Sequence, residues 1–135
     1  MNRIEHIGIA VRDIEEANKV YAGLLGYEHY KTEEVPSEGV LTSFFRCGES
    51  KIELLKATNA ESPIARFIEK KGEGIHHVAF YVDDIYKEVK RLKNEGFQIL
   101  NEEPKKGADN KLVVFLHPRS AHGVLIELCQ DITKT

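Results

Sequence analysis

Cysteine is scarce in this chain: Cys47 and Cys129 are the only two among 135 residues. Two cysteines make no disulfide framework, and their spacing fits no zinc finger, so both read as small core or strand residues. Long hydrophobic runs are missing too. No stretch could span a bilayer, and no membrane partner is expected. Met1-Asn2-Arg3 leads directly into a strand pattern with no apolar signal segment, which sets the expectation of a cytoplasmic protein. An excess of one charge is also lacking. The net charge is −3 with acids and bases interspersed, which argues against a nucleic-acid partner but leaves room for a local basic patch facing a phosphorylated ligand. No segment is low-complexity. What remains, 41% apolar and 30% charged, is the composition of a soluble globular protein. The length suits one compact domain or two fused half-domains sharing a core.

What the chain does have is a repeat. Ile4-Glu5-His6-Ile7-Gly8-Ile9-Ala10-Val11-Arg12-Asp13-Ile14 returns as Ile75-His76-His77-Val78-Ala79-Phe80-Tyr81-Val82-Asp83-Asp84-Ile85. The offset is 71 throughout, as from Ile4 to Ile75 and from Ile14 to Ile85. A second echo closes each half: Ile52-Glu53-Leu54 matches Ile126-Glu127-Leu128, 74 residues on. Each half therefore carries a histidine on its opening strand and a glutamate on its closing strand.

The elements follow the same plan twice. Arg3 to Val11 alternates as a strand does. Asp13 is a natural N-cap, Glu15 and Glu16 suit the positive end of a helix, and Ile14, Ala17, Val20, Tyr21, Leu24 and Leu25 make its apolar stripe. Gly26 stops it. Strands are expected near Tyr27–Thr32, Val40–Arg46 and Lys51–Lys56, with Gly48 turning the last pair into a hairpin. In the second half, Ile75–Val82 is a strand, Asp83 or Asp84 caps a helix built on Ile85, Val89 and Leu92, and Gly96 ends it. Strands are expected near Phe97–Asn101, Leu112–His117 and Val124–Cys129. Between the halves, Ser62–Lys71 reads as a linking helix with Pro63 in its first turn and Ile64, Phe67 and Ile68 facing inward. Gly72-Glu73-Gly74 is the joint. The fold class is α+β: two tandem β-α-β-β-β modules forming a curved mixed sheet around a metal-binding cleft. The first module is residues 1–61, the linking helix and joint 62–73, and the second module 74–135.

Strand alternation assigns faces. Ile7, Ile9 and Val11 should lie under the first helix, and Val78, Phe80 and Val82 under its counterpart. His6 then shares the free face with small Gly8 and Ala10, and His77 shares it with Ala79. Ile52, Leu54, Ile126 and Leu128 face the helices, so Glu53 and Glu127 face away from them. Any one of these polar residues alone would be an ordinary surface or hydrogen-bonded group. Their matched places in both halves point instead to a metal site. Two imidazoles and two carboxylates suit a divalent cation such as Co, Mn, Ni, Fe or Zn. A metal would also offset the cost of desolvating carboxylates in a cavity. His76 competes with His77, but a period of two lets only one of them take the free face, and the repeat selects His77. His29 reads as a surface strand residue. His117 and His122 flank the loop Pro118-Arg119-Ser120-Ala121, either an ordinary hairpin turn or an anion-contacting loop. Phe44-Phe45 is either core or an aromatic wall. Arg119, Lys105 and Lys106 read as surface residues.

The repeated β-α-β-β-β unit with these histidines and glutamates resembles the vicinal oxygen chelate superfamily. That group includes glyoxalase I, extradiol dioxygenases, fosfomycin-resistance enzymes and the methylmalonyl-CoA epimerases. The chain is similar to the epimerases nearly end to end, through His6-Ile7-Gly8-Ile9-Ala10-Val11, Lys51-Ile52-Glu53-Leu54-Leu55, Ser62-Pro63-Ile64-Ala65, Gly74-Ile75-His76-His77-Val78-Ala79 and Val82-Asp83-Asp84-Ile85. It continues in Phe115-Leu116-His117-Pro118 and Gly123-Val124-Leu125-Ile126-Glu127-Leu128. The resemblance implies one such domain over residues 3–131. It implies epimerisation of (R)- and (S)-methylmalonyl-CoA, with His6, Glu53, His77 and Glu127 as ligands of cobalt or another divalent ion (Zn, Ni or Mn). It also implies an acyl-CoA partner and a homodimer. Epimerisation removes a proton from one side of an acidic carbon and returns one to the other, through an enolate. Glu127 is the expected catalytic group for one side. The strand glutamate proposed as the other base in some members falls at Thr42 here, which leaves that base unassigned; Glu38 is nearby but offset and reads as a turn residue, and a water held by the metal is the other candidate. A glyoxalase I-type lyase uses the same ligand geometry, and a non-catalytic binding protein would keep the cleft without a metal. A dioxygenase is disfavoured because Glu53, as a fourth protein ligand, uses up an open position.

Overall fold

The structure, a computed structural model, describes residues 1–132. In chain order the elements are β1 (Arg3–Ala10), α1 (Ile14–Leu25), β2 (Lys31–Val35), β3 (Val40–Cys47), β4 (Ser50–Ala57), α2 (Pro63–Lys71), β5 (Gly74–Tyr81), α3 (Ile85–Asn94), β6 (Lys105–Lys106), β7 (Lys111–Leu116) and β8 (Ile126–Asp131). They form two compact units. One is His6–His76; the other joins Met1–Glu5 to the residues from His77 onward. Among the described residues no helix is long and apolar enough to cross a membrane.

In the His6–His76 unit the strands run β2-β3-β4-β1, with β1 and β4 parallel and the other pairs antiparallel. Helix α1 starts where its sequence says. The Asp13 carboxylate accepts hydrogen bonds from the Glu15 and Glu16 N–H groups at 3.1 Å each. It ends on Gly26, whose φ of 91° places it in the left-handed region. Its apolar side meets Val11, Phe45 and Leu54, which are buried with Ile14, while Ile9, Ala17, Tyr21, Leu25 and Ile52 pack around them. Fully burying one such side chain contributes about 1.5–3 kcal/mol. The Ser43 hydroxyl donates to Asn18 Oδ1 at 2.5 Å and fixes α1 against β3. Helix α2 is capped by Ser62, whose hydroxyl accepts from the Ile64 N–H at 3.1 Å, with Pro63 in the first turn. Of its three inward residues Ile64 is buried, and Phe67 and Ile68 are half-buried. Gly39 leads into β3 at a φ of 62°, and a Cβ there would lie 3.1 Å from Ser62 Cβ. The turn can approach the start of α2 this closely only as glycine.

In the other unit β5 and β8 are parallel, and β8, β7 and β6 follow antiparallel. Asp84 rather than Asp83 caps α3, accepting from the Lys87 N–H at 3.1 Å. Ile85, Val89 and Leu92 are buried against Val82, Val114, Leu116 and Leu128. Both helices thus sit on the faces that alternation assigned to them.

Two expected strands differ. The one placed near Tyr27–Thr32 is found at Lys31–Val35. It forms a sheet edge, where Glu33 and Glu34 are tolerated, so its low β propensity hid it. The strand expected at Phe97–Asn101 is reduced to a single bridge, Ile99 to Leu116. Two backbone bonds remain beside it, Leu100 N–H to the Phe115 carbonyl at 2.8 Å and His117 N–H to the Gln98 carbonyl at 2.9 Å, and Asn101 takes over the next rung. Its Oδ1 accepts from the Phe115 N–H at 2.8 Å and its Nδ2 donates to the Val113 carbonyl at 3.1 Å. The paired strand beside β7 is instead the short Lys105–Lys106. The expected end of the second module, at residue 135, lies outside the described residues.

Candidate functional site

Each unit places one histidine beside one glutamate by the same device. In the His6–His76 unit, Gly8 is the register partner of Glu53 across the parallel β1–β4 pair. His6 lies two residues before Gly8 and so on the same face. Glycine leaves open the space above the strand, and His6 Nδ1 lies 3.1 Å from Glu53 Oε2. Both residues are buried, at 5% exposure each. In the other unit Ala79 is the register partner of Glu127 across the parallel β5–β8 pair, and His77 lies two residues before it. His77 Nε2 lies 3.3 Å from Glu127 Oε1, and these two are also buried.

The rows beside the pairs match as well. Phe44 on β3 stands opposite Glu53, and Phe115 on β7 stands opposite Glu127. The Phe115 ring meets His77 edge-on at 6.2 Å. Phe44 faces this side of its sheet, while Phe45 packs under α1, so the two phenylalanines divide between the two faces. Cys129 is buried with Ala79 and Val113 on the Glu127 side, and Cys47 is exposed; both are free thiols.

Two buried imidazole–carboxylate pairs are chemically suited to a divalent ion. Each offers one nitrogen and one oxygen donor, the set preferred by borderline first-row cations. Burial makes an unneutralised carboxylate costly, so a histidine or a cation must accompany it. The fit therefore rests on donor type, burial and spacing within each pair.

The remaining histidines lie elsewhere. His76 sets its ring edge-on against Phe67 of α2 at 4.9 Å, and burial lowers its pKa to about 4, so it is neutral at pH 7. The structure thus brings His77, not His76, to Glu127. His29 is half-buried against Phe45, at 5.8 Å between ring centres, and its Nδ1 has no hydrogen-bond partner. His117 Nδ1 accepts from the Arg119 N–H at 2.9 Å and so caps its own turn. Ser120 accepts from the Gln98 N–H at 2.9 Å, and His122 is exposed with φ 56°. Lys105 is exposed, with its ammonium 5.6 Å from the Phe115 ring centre. Thr42 is buried at 1% exposure, one step along β3 from Phe44 on the same face as Glu53.

Two polar residues on that face escaped notice in the sequence. Lys51, 7% exposed, is the register partner of His6. Glu33 on β2 is the register partner of Thr42. The signal for Lys51 was its spacing of two from Glu53. Glu33 falls outside the strand that the sequence pattern places at Tyr27–Thr32, because the paired segment is Lys31–Val35.

Residues 5–115 match the Glyoxalase/Bleomycin resistance protein/Dioxygenase superfamily. Over 131 residues the chain is 43% identical to the mitochondrial methylmalonyl-CoA epimerase of Bos taurus, covering 96% of this chain and 75% of that one. It is 42% identical over 132 residues to the ethylmalonyl-CoA/methylmalonyl-CoA epimerase of Cereibacter sphaeroides, covering 96% and 98%. A methylmalonyl-CoA epimerase variant of Streptomyces coelicolor, solved with 2-nitronate-propionyl-CoA, superposes with a TM-score of 0.94 at 32% identity, covering 98% and 96%.

Proposed function

We propose, from the premise that the chain belongs to the Glyoxalase/Bleomycin resistance protein/Dioxygenase superfamily, that it interconverts (R)- and (S)-methylmalonyl-CoA. The observation that carries this reading is the duplicated buried His–Glu pair, in a chain more than 40% identical to such epimerases over nearly its whole length. His6 and Glu53 from one unit, and His77 and Glu127 from the other, are the proposed ligands of a divalent ion, cobalt or alternatively zinc, nickel or manganese. When bound, such an ion supplies Lewis acidity for the charge that develops on the thioester oxygen.

The chain's own groups move the proton. C2 of the substrate lies between a thioester and a carboxylate, and its hydrogen is acidic because the resulting charge spreads onto the thioester oxygen. Glu127 is the proposed acid/base for one side of C2. A carboxylate has two oxygens, so one can hold a cation while the other takes a proton. In one direction it removes the C2 proton and leaves the enolate. In the other it returns a proton to C2. Buried Phe44 and half-buried Phe115 beside the pairs limit water and raise the value of each electrostatic contact.

The test is exchange of the C2 hydrogen of methylmalonyl-CoA in deuterated water. Metal-loaded protein is expected to exchange it, and chelated protein to lose most of that activity. Glu127→Gln is expected to slow epimerisation by about 10²–10⁴-fold, the usual contribution of a positioned acid/base. His77→Ala is expected to lose metal stoichiometry as well. Metal-replete, folded protein without exchange would sink the proposal. The same reading includes a homodimer, measured directly by sedimentation equilibrium.

A further inference from the structure

Epimerisation needs an acid/base on each side of C2, and the proposed reaction so far supplies only Glu127. We propose that Glu33 is the second proton-transfer group, an assignment that rests on the epimerase reading above. Strand register fixes which groups share the face. On the Glu53 face of the His6–His76 unit, β1 presents His6, Gly8 and Ala10, and β4 presents Lys51, Glu53 and Leu55. On the same face β3 presents Thr42, Phe44 and Arg46, and β2 presents Lys31 and Glu33. The carboxylates in this set are Glu53 and Glu33. Glu53 is committed to His6 at 3.1 Å. Thr42 stands between β2 and β4, and its alcohol is far too weak a base to take a carbon-bound proton near neutral pH.

Glu33 is placed to act across Thr42. The two are direct partners in the antiparallel β2–β3 ladder, so their side chains stand side by side. Thr42 is small and buried, and a glutamate one strand away, about 4.8 Å, can lean over it. Lys31 flanks Glu33 on the same face, with its ammonium 3.9 Å from the Glu33 carboxylate and 4.7 Å from the Phe44 ring centre. Glu33 is half-buried, open to proton exchange with solvent yet set on a strand. Of the other nearby acids, Glu34 pairs with Leu41 and takes the opposite face, and Glu38 lies in the turn Pro36–Glu38, outside the ladder that fixes the face.

Glu33→Gln separates this role from a structural one. Pure (R)- and pure (S)-methylmalonyl-CoA are each incubated with metal-loaded protein in deuterated water. Wild type is expected to exchange the C2 hydrogen of both. The variant is expected to keep its metal and its KM, to lose epimerisation by about 10²-fold or more, and to lose exchange on one isomer only. The other isomer, served by Glu127, should still exchange its hydrogen and keep its configuration. Adding Thr42→Glu to Glu33→Gln puts a carboxylate one strand nearer and is expected to restore epimerisation in part. Equal loss on both isomers, no loss on either, or a one-isomer loss in Glu38→Gln instead would overturn the assignment. Wild type without exchange on either isomer would overturn the epimerase reading, and this assignment with it.

Discussion

A glutamate opposite a glycine or alanine, two residues past a histidine, is the unit from which the proposed site is made. Sequence supplied its members because strand alternation is strict: once Ile9, Val11, Phe80 and Val82 pack under helices, His6 and His77 must face away. It could not supply the register that sets Gly8 against Glu53 and Ala79 against Glu127, which is a property of pairing and not of either strand. Lys51 is legible in its spacing of two from Glu53, whereas Glu33 is hidden by the weak strand signal of the edge segment that carries it. Outside the site, Asp131 shows how one residue ties strands together. Its carboxylate meets Lys111 Nζ at 2.7 Å and accepts from the Tyr81 hydroxyl at 2.9 Å. The Lys111 ammonium foremost, and then the Tyr81 hydroxyl, hold its pKa below the ordinary value against the opposing effect of partial burial. A lowered carboxylate pKa stabilises the fold above the unfolded value, about 3.9, and that contribution is lost as pH falls through the folded value. Asp131 is largely exposed, so Asp131→Asn is expected to cost only about 1 kcal/mol at pH 7. In urea titrations the gap from wild type should shrink toward zero between pH 4 and pH 2. A gap unchanged over that range would mean that packing, not charge, is what the substitution removes.

The helices were legible at the level of whole elements, and the edge strands were not. Asp13, Ser62 and Asp84 cap their helices through side-chain oxygens that are local in sequence, so the start signals needed no tertiary information. Edge strands carry weaker signals because one side of their backbone ladder is unpaired and charges are welcome there. The segment from Phe97 to Asn101 is the clearest case. It has the apolar pattern of a strand, yet Asn101 supplies through its amide what a strand would supply through its backbone. Asn101→Ala strips the Phe115 N–H and the Val113 carbonyl of that partner, and each group left unsatisfied costs about 1–3 kcal/mol. The expected loss is about 2 kcal/mol, since the site is only partly buried. Asn101→Asp keeps the acceptor for Phe115 and should recover part of it. Chemical denaturation of the three proteins reads the order directly, and an alanine variant as stable as wild type would show that solvent replaces the amide.

For the molecule as a whole, the repeat sets what metal removal should do. Each unit carries its own apolar core under its own helix, so neither the α1 cluster around Phe45 nor the α3 cluster around Leu128 needs an ion to form. The His–Glu pairs are different. Each keeps a buried carboxylate beside an imidazole, and a bound cation would add favourable energy to the folded chain that the unfolded chain could not match. At a free ion concentration a hundredfold above Kd that stabilisation is about 2.7 kcal/mol. For a domain of this size it corresponds to a rise in Tm of about 10 °C. Calorimetric scans with the ion and with chelator are expected to differ by that amount while both remain cooperative. Because the proposed ligands come half from each unit, His6→Ala and His77→Ala should each abolish the ion-dependent shift. If either variant kept the full shift, the ion would be held by one pair alone, and the proposed four-residue site would be wrong.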